Sequence, residues 1–535
     1  MNGGTQQDKF WWETRWFIGL LLLLSVLPLL WPTFPPLSDV TGHMGRYRVQ
    51  LDLATDPSLQ QFYDFKWTLI LNLGVDLLMQ LFGPIFGVEL ATKLITILTM
   101  LITTIGILWM ARETHGRIPP TTMLAIPFLY GHVTTFGFNN YMLSMGLAFV
   151  LFAAWMYLDR VGRQSLRPWV MVPASFLLAI CHIYGWGVLG LLVFGYEYHK
   201  QRDAGRASLS ALLGAAIRCL SLAAPIILFI FWRSDSQHAS GTSLWFDFYW
   251  KYNWMGMALR DRWEMFDRFS VIALCAFLIW VIISKHFNFS SKLATGIGLL
   301  IAAFIIIPFT LMASAYADMR LVPFLFMVIF VAISWPENMT SRQVAWIGVA
   351  ALTFCLIRIG GNVASYALFD QELKEELAAL KVIPNHARLF TFTETDCQFL
   401  WFEQRKEHLG ALALVRNRAY SNEQWAAAGA QLIRSKIDAP GYAIDGSQFA
   451  SKAQCIDHPR NTAVDYRLAG LPRDTYDYIW FIDVLPSDPK SLAGMTKMWG
   501  NKTSAVYRID HRRSAPVSAP ASGLSGNAAS AVTSN

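Results

Sequence analysis

Long apolar windows almost free of charge fill the first two thirds of the chain, and polar residues gather between them. Windows of roughly 17–25 apolar residues have the length an α-helix needs to cross a bilayer's hydrocarbon core. They fall at 16–31, 88–110, 119–136, 140–158, 209–232, 269–284, 292–313, 321–335 and 343–360. The stretch 169–198 is too long for one span, and "CHIYGWG" in its middle breaks it into a short hairpin of two. The pattern therefore predicts about eleven spans. Lys9 and Arg15 precede the first window, and "PTFPP" follows it where a signal peptide would carry small residues. It reads as an uncleaved first span.

Between the first two windows, residues 32–87 carry a different pattern. At helical spacing Asp39, His43, Arg46 and Gln50 share one face, while Val40, Met44, Tyr47 and Leu51 share another. That predicts a helix lying at the membrane surface with its apolar face toward lipid. Residues 66–82, "KWTLILNLGVDLLMQLF", are apolar enough to span, yet Asn72, Asp76 and Gln80 recur at every fourth position. A carboxylate at mid-bilayer costs about 2.5–3.5 kcal/mol on insertion scales. A second interfacial helix is therefore predicted.

After residue 361 the pattern changes again. "DQELKEELAALKVIP" reads as a charged helix, and "ARLFTF", "YDYIWFIDVL" and "TSAVYRID" read as strands. The expected fold class is mainly α: a polytopic α-helical membrane domain over 1–361 and a small soluble α/β domain over 362–512. The Ser-, Ala-, Gly- and Pro-rich residues 513–535 read as a disordered tail. No internal repeat is evident.

Composition agrees, with 54% hydrophobic and 15% charged residues. The net charge of +7 does not point to nucleic acid, because no basic run with interleaved aromatics occurs on a soluble segment. The proposed inner loops instead collect Arg112, Arg117, Arg160, Arg163, Arg167, Lys200, Arg202, Arg206, Lys285, Lys292 and Arg342. By the positive-inside rule the N-terminus is cytoplasmic, and an odd number of spans puts the C-terminal domain outside, in the periplasm. Cys181, Cys219, Cys275 and Cys355 lie in apolar segments as small core residues. Cys397 and Cys455 fall in the polar domain and form a candidate disulfide if that domain is extracytoplasmic. No C-x-x-C spacing marks a metal or redox motif.

Several polar groups share the outer side: Asn72 and Asp76, Asn139 and Asn140 in "FGFNNYML", His182 at its hairpin tip, and Asp318 and Arg320 in "YADMRLVPF". Arg358 sits near the outer end of the last span. Each also has an ordinary structural reading. Asp39 after "PPLS" fits a helix cap, Asn is common in tight turns, and an interfacial Arg snorkels.

"PPLSDVTGHMGRY" after the first span, with "NLGVDLL", "FGFNNYMLSMGLA", "CHIYGWG" and "DMRLVPF", resembles the GT-C glycosyltransferase superfamily over about residues 1–360. The resemblance implies an inverting transfer from a polyprenyl-phosphate-linked sugar to an envelope acceptor, in a bacterial inner membrane. Asp39 would be the general base, and Arg320 the first candidate to hold the leaving phosphate. His43, Arg46 and Arg358 stand in reserve, and His182 would orient phosphate or acceptor. Some members hold a divalent metal through D-x-D in this loop. Thr41 stands at the second position here, so no cofactor is expected. A transporter or flippase, another envelope transferase, and a non-catalytic assembly scaffold are the competing readings.

Overall fold

The structure, a computed structural model, describes residues 9–231, 241–284, 286–311, 314–335, 339–397, 401–402, 404–425, 431–437, 448–455 and 463–511. Lys285 and the tail from 513 lie outside these. In chain order the first part comprises α1 (Arg15–Leu30), α2 (Val40–Asp52), α3 (Pro57–Phe62), β1 (Tyr63–Phe65) and α4 (Gly74–His115). Next come α5 (His132–Phe136), α6 (Asn139–Arg160), α7 (Arg167–Cys181), α8 (Ile183–Asp203), α9 (Ser208–Arg218), α10 (Ile226–Phe231) and α11 (Phe248–Gly256). They are followed by α12 (Glu264–Ile283), β2 (Asn288–Phe289), α13 (Ser291–Ile306), α14 (Leu321–Ala332), β3 (Ile333–Ser334) and α15 (Ser341–Glu376). The last part holds β4 (Arg388–Glu394), α16 (Ala411–Asn417), β5 (Tyr420–Ser421), β6 (Ile433–Ser435) and β7 (Phe449–Ala450), then α17 (Val464–Ala469), β8 (Tyr478–Ile482), β9 (Met495–Gly500) and β10 (Ala505–Ile509).

Among the described residues, four helices are long and apolar enough to cross a membrane, not eleven: Gly74–His115, Asn139–Arg160, Glu264–Ile283 and Ser341–Val382. Shorter apolar helices occupy Arg15–Leu30, Ser208–Leu222, Ser291–Ile306 and Leu321–Ala332. Proline explains two of the differences. Pro119, Pro120 and Pro127 turn the window at 119–136 into a buried 3₁₀ stretch, Pro120–Tyr130, followed by the short α5. Pro225 interrupts the window at 209–232 between α9 and α10. Apolar stripes nevertheless remain uncovered, with Leu20, Leu23, Leu27 and Leu30 on α1 and Met265, Phe269, Ile272 and Ile279 on α12. Such contiguous apolar surface fits a hydrocarbon surround and not water.

Ion pairs gather at one end of the bundle: Arg117 with Glu13, Arg160 with Glu113, and Lys200 and Arg167 with Asp159. Lys292 joins them by donating to the Glu113 and Thr114 carbonyls. We call this the basic end. The opposite end carries α2 and the C-terminal domain and is called the domain end.

The C-terminal sheet runs β5-β4-β8-β10-β9, with β7 also on β4. Strands β5, β7 and β8 pair with β4 in parallel, and β10 is antiparallel to β8 and β9. The apolar run Tyr478–Ile482 is buried on both faces, as expected of a covered central strand. Trp480 and Ile482 point into the large core that includes the bundle, while Ile479 and Phe481 point into a second core. That second core also contains Val49, Leu59, Phe62 and Tyr63 of the segment after α1. Strand β1 of this loop pairs antiparallel with β6, Tyr63 opposite Ser435. The sheet is thus a roof whose upper core is built partly from the segment after the first helix.

Three expectations shift accordingly. The apolar face of α2 meets protein and not lipid, since Val40, Met44 and Tyr47 are fully buried in the large core. The helix expected over 66–82 begins only at Gly74; it runs on into α4 through a non-helical break at Gly87 (φ 73°). And α15 continues through residue 361, so the proposed boundary falls inside one helix.

Candidate functional site

The site is built on a turn. Helix α5 ends at Gly137 in the left-handed conformation (φ 90°), where the amide bonds back to the Thr134 carbonyl. A Cβ there would lie 3.1 Å from Val40 Cγ2 and 3.3 Å from the Asp39 nitrogen. This close approach lets the Ser38 and Asp39 amides donate to the Thr135 and Phe136 carbonyls at 3.0 and 2.9 Å. Asp39 is thereby pinned by its backbone at the start of α2. Its carboxylate makes no capping hydrogen bond to that helix and is 19% exposed.

Arg320, just before α14, packs on the same turn. Its guanidinium lies 4.2 Å from the centre of the Phe138 ring, which stacks on Phe136. Tyr141 donates to the Arg320 carbonyl. The Arg320 Nη2 donates to Ser314 Oγ at 3.0 Å and to the Ala315 carbonyl at 3.2 Å. Its Nε has no hydrogen-bond partner, and no carboxylate lies within ion-pair distance, among the described residues. Burial lowers the Arg320 pKa, while Tyr184, Tyr141 and the Asp39 carboxylate favour its charge. Beside it Asn139 is buried, and neither end of its side-chain amide has a partner among the described residues. His182 accepts from the Tyr184 amide at 3.2 Å, and its ring meets Tyr141 edge to face.

Other predicted groups are committed elsewhere. Arg46 is clamped by Asp76 at 3.0 Å and by Gln431 at 2.7 Å. Asn140 joins that cluster by donating to the Asn72 carbonyl and accepting from the Val75 amide. Asp318 pairs with Lys251 at 2.9 Å. Arg358 bonds Asp267 at 2.8 Å, Ser270 and the Leu259 carbonyl, so its charge is compensated within the fold. Asp267 also accepts from Trp401 and from the Asp261 amide, and Asp261 accepts from Asn362, Ser365 and Arg405. This knot ties α12 and α15 to the C-terminal domain. Cys397 and Cys455 are joined by a disulfide.

Residues absent from the sequence-based site come from the roof. His408 Nε2 lies 3.9 Å from Asp39 Oδ1 and 3.6 Å from Glu407 Oε1, while Nδ1 lies 3.1 Å from Glu423 Oε2. Burial pushes the His408 pKa down to about 3. Burial, then Arg46 and His408, also lower that of His43, whose Nδ1 has no partner among the described residues. The Trp425 ring packs on both imidazoles. The only sequence trace of this arrangement is an acid and a histidine adjacent in "KEH", far along the chain from Asp39.

No protein-family model matches the chain, and no curated protein matches it significantly. Two solved structures are similar to it. The crystal structure of ArnT from Cupriavidus metallidurans in the apo state aligns with a TM-score of 0.49 at 12% identity, covering 93% of this chain and 98% of that one. The structure of the same protein bound to undecaprenyl phosphate gives 0.44 at 12% identity, covering 92% and 97%.

Proposed function

We propose that the chain is a membrane glycosyltransferase that moves a sugar from a polyprenyl-phosphate donor to a hydroxyl of an envelope acceptor. The domain end faces outward from a bacterial inner membrane, and the basic end with the N-terminus faces the cytoplasm. The observation that carries this reading is Arg320: a buried guanidinium whose hydrogen-bond acceptors among the described residues are neutral, packed on the turn that fixes a partly exposed carboxylate. Arginine suits phosphate oxygens because its planar fork keeps its charge and donates in pairs.

In the reaction, Asp39 takes the proton of the acceptor hydroxyl as its oxygen attacks the anomeric carbon. The new carbon–oxygen bond forms on the face opposite the departing phosphate, so the configuration inverts. The lipid phosphate leaves with the bonding electrons, and Arg320 stabilises its charge. Asn139, whose buried amide has no partner among the described residues, hydrogen-bonds the sugar, and His182 orients phosphate or acceptor. A lipid-borne donor keeps its tail in the bilayer and presents its sugar at the surface, the level of these groups.

The test compares envelope glycans by mass spectrometry in wild type, a deletion strain, and the deletion complemented with Asp39→Asn at matched expression. The expected result is a sugar lost on deletion and restored by the wild-type chain alone. Full restoration by Asp39→Asn would leave Asp39 a structural residue and favour a scaffold or transporter.

A further inference from the structure

The two ends of the helical bundle differ in how their exposed charges are balanced. We infer that the basic end is a docking surface for anionic phospholipid headgroups, centred on the turn from α8 to α9.

Tryptophan marks the level. Trp16, Trp169, Trp280 and Trp346 are 47–91% exposed at the basic end, and Trp31, Trp67, Trp245 and Trp263 are 38–73% exposed at the domain end. Helix α1 separates Trp16 from Trp31, and α12 separates Trp263 from Trp280. Between the two sets lie uncovered leucines and isoleucines of α1, α9 and α12. Girdles of indole rings on either side of an apolar band suit the two interfaces of a bilayer, because the ring is apolar and its N–H is polar.

Charge identifies the partner. Arg15, Arg112, Arg163, Arg202, Arg206 and Arg342 are exposed at the basic end. The carboxylates there, Glu13, Glu113, Glu197 and Asp159, are taken by Arg117, Arg160, Arg167 and Lys200. Among the described residues the six arginines therefore have no carboxylate within ion-pair distance, and Asp203 is the one exposed acid at their end. Arginines near the other girdle are neutralised, Arg268 by Glu264 at 2.9 Å and Arg416 by Glu89 at 2.8 Å. Uncompensated cations beside hydrocarbon attract anionic headgroups, and the guanidinium fork donates in pairs to phosphate oxygens. A soluble acidic partner would match the charge but not the adjoining apolar faces.

The turn from α8 to α9 concentrates these features. Gly205 adopts the left-handed conformation (φ 78°), and Arg202 Nη1 donates to the Arg206 carbonyl at 2.6 Å. Two guanidinium groups are thereby gathered on one turn. Arg206 Nη1 lies against Gly214 of α9, 3.4 Å from where a Cβ would stand. On the outer face of α9, Leu209, Leu213 and Ile217 recur at every fourth position and are 54–70% exposed. A phosphate and its acyl chains thus meet cations and leucines on adjoining parts of one element.

The experiment uses the full chain, purified in detergent and freed of co-purifying lipid, and follows lipid binding by native mass spectrometry. Dioleoyl-phosphatidylglycerol should bind more than about 10-fold more tightly than dioleoyl-phosphatidylcholine, and the preference should shrink as salt is raised. One arginine beside a charged interface is worth about 5-fold in binding, so the double variant Arg202→Gln/Arg206→Gln should weaken phosphatidylglycerol binding about 25-fold. The side chains of Arg163 and Arg342 make no hydrogen bond among the described residues. Arg163→Gln/Arg342→Gln should therefore lower the number of phosphatidylglycerol molecules bound and leave the unfolding midpoint unchanged. Arg268→Gln/Arg416→Gln at the domain end should bind as wild type does. Equal affinity for the two lipids, or phosphatidylglycerol binding unchanged in both basic-end variants, overturns the assignment. So does displacement of the lipid by glycerol phosphate or by polyglutamate, which would make the surface one for a free phosphate or an acidic protein. None of these readouts involves sugar transfer, so the lipid surface and the transferase reading stand or fall separately.

Discussion

Arg320 and Arg358 are both buried at the domain end, and each guanidinium lies over a phenylalanine ring, Phe138 at 4.2 Å and Phe266 at 4.5 Å. Their other neighbours differ. Arg358 is met by the Asp267 carboxylate, itself tied to Trp401 and to the Asp261 backbone. Arg320 is met by a serine hydroxyl and a carbonyl. A buried charge must be compensated, and a carboxylate does so within the fold. Neutral acceptors solvate the charge only in part, so attraction for an incoming anion persists. From sequence Arg320 was the first phosphate candidate and Arg358 a reserve; in the structure they differ in whether a carboxylate compensates the charge.

Substitutions can break or sharpen that contrast. Asp39→Asn should cost about 10²–10⁴-fold in transfer rate, the usual weight of a general base. Its unfolding midpoint in detergent should stay near wild type, because the backbone and not the carboxylate holds α2. Asp267→Asn should do the reverse, destabilising the fold by about 3–5 kcal/mol by leaving the Arg358 charge uncompensated. Thermal unfolding in detergent reads this directly. Joint replacement of Asp267 and Arg358 by apolar residues of similar volume should recover most of the loss. Arg320→Lys should lower transfer about 10–100-fold at little cost in stability, the range for one charge-assisted hydrogen bond. An equal loss of stability in Arg320→Lys and Asp267→Asn would erase the distinction.

The smallest effect belongs to a pair outside both sites. Arg388 meets Asp477 at 2.7 Å, with both side chains about one-third exposed. Burial opposes the Asp477 charge, but hydrogen bonds and attraction from Arg388 hold its carboxyl below the ordinary value. A carboxyl depressed in the folded state stabilises the fold above its unfolded pKa, near 3.9, and loses that contribution as pH falls through the folded value. The stability difference between wild type and Arg388→Ala should therefore be present in full above about pH 4 and fade as the pH falls below it. At neutral pH the difference should stay under about 1 kcal/mol.

The local elements around the candidate site were legible, because local pattern encodes them. Asp39 begins a helix where the spacing placed one, and "FGFNNYML" supplies the turn beneath Arg320. Strands β8 and β10 fall within the predicted segments, and β4 overlaps its own and runs two residues past it. What covers a face was not legible. Val40, Met44 and Tyr47 form the same stripe whether they meet lipid or protein, and only the roof decides. His408 and Glu407 escaped for the same reason: neighbours brought together across hundreds of residues leave no spacing to read. The span count failed where proline interrupts apolar runs, since hydropathy does not register a missing amide proton.

The strand pairing between the segment after α1 and the roof also sets a timetable for biogenesis. Tyr63 binds the Ser421 backbone from 358 positions away. At roughly 5–20 residues per second of synthesis, that partner emerges about 20–70 seconds later. Val49, Leu59 and Phe62 stay uncovered throughout that interval, while the remaining helices are delivered to the membrane. The enclosure around Asp39 therefore closes last, as a final check that every preceding segment has arrived.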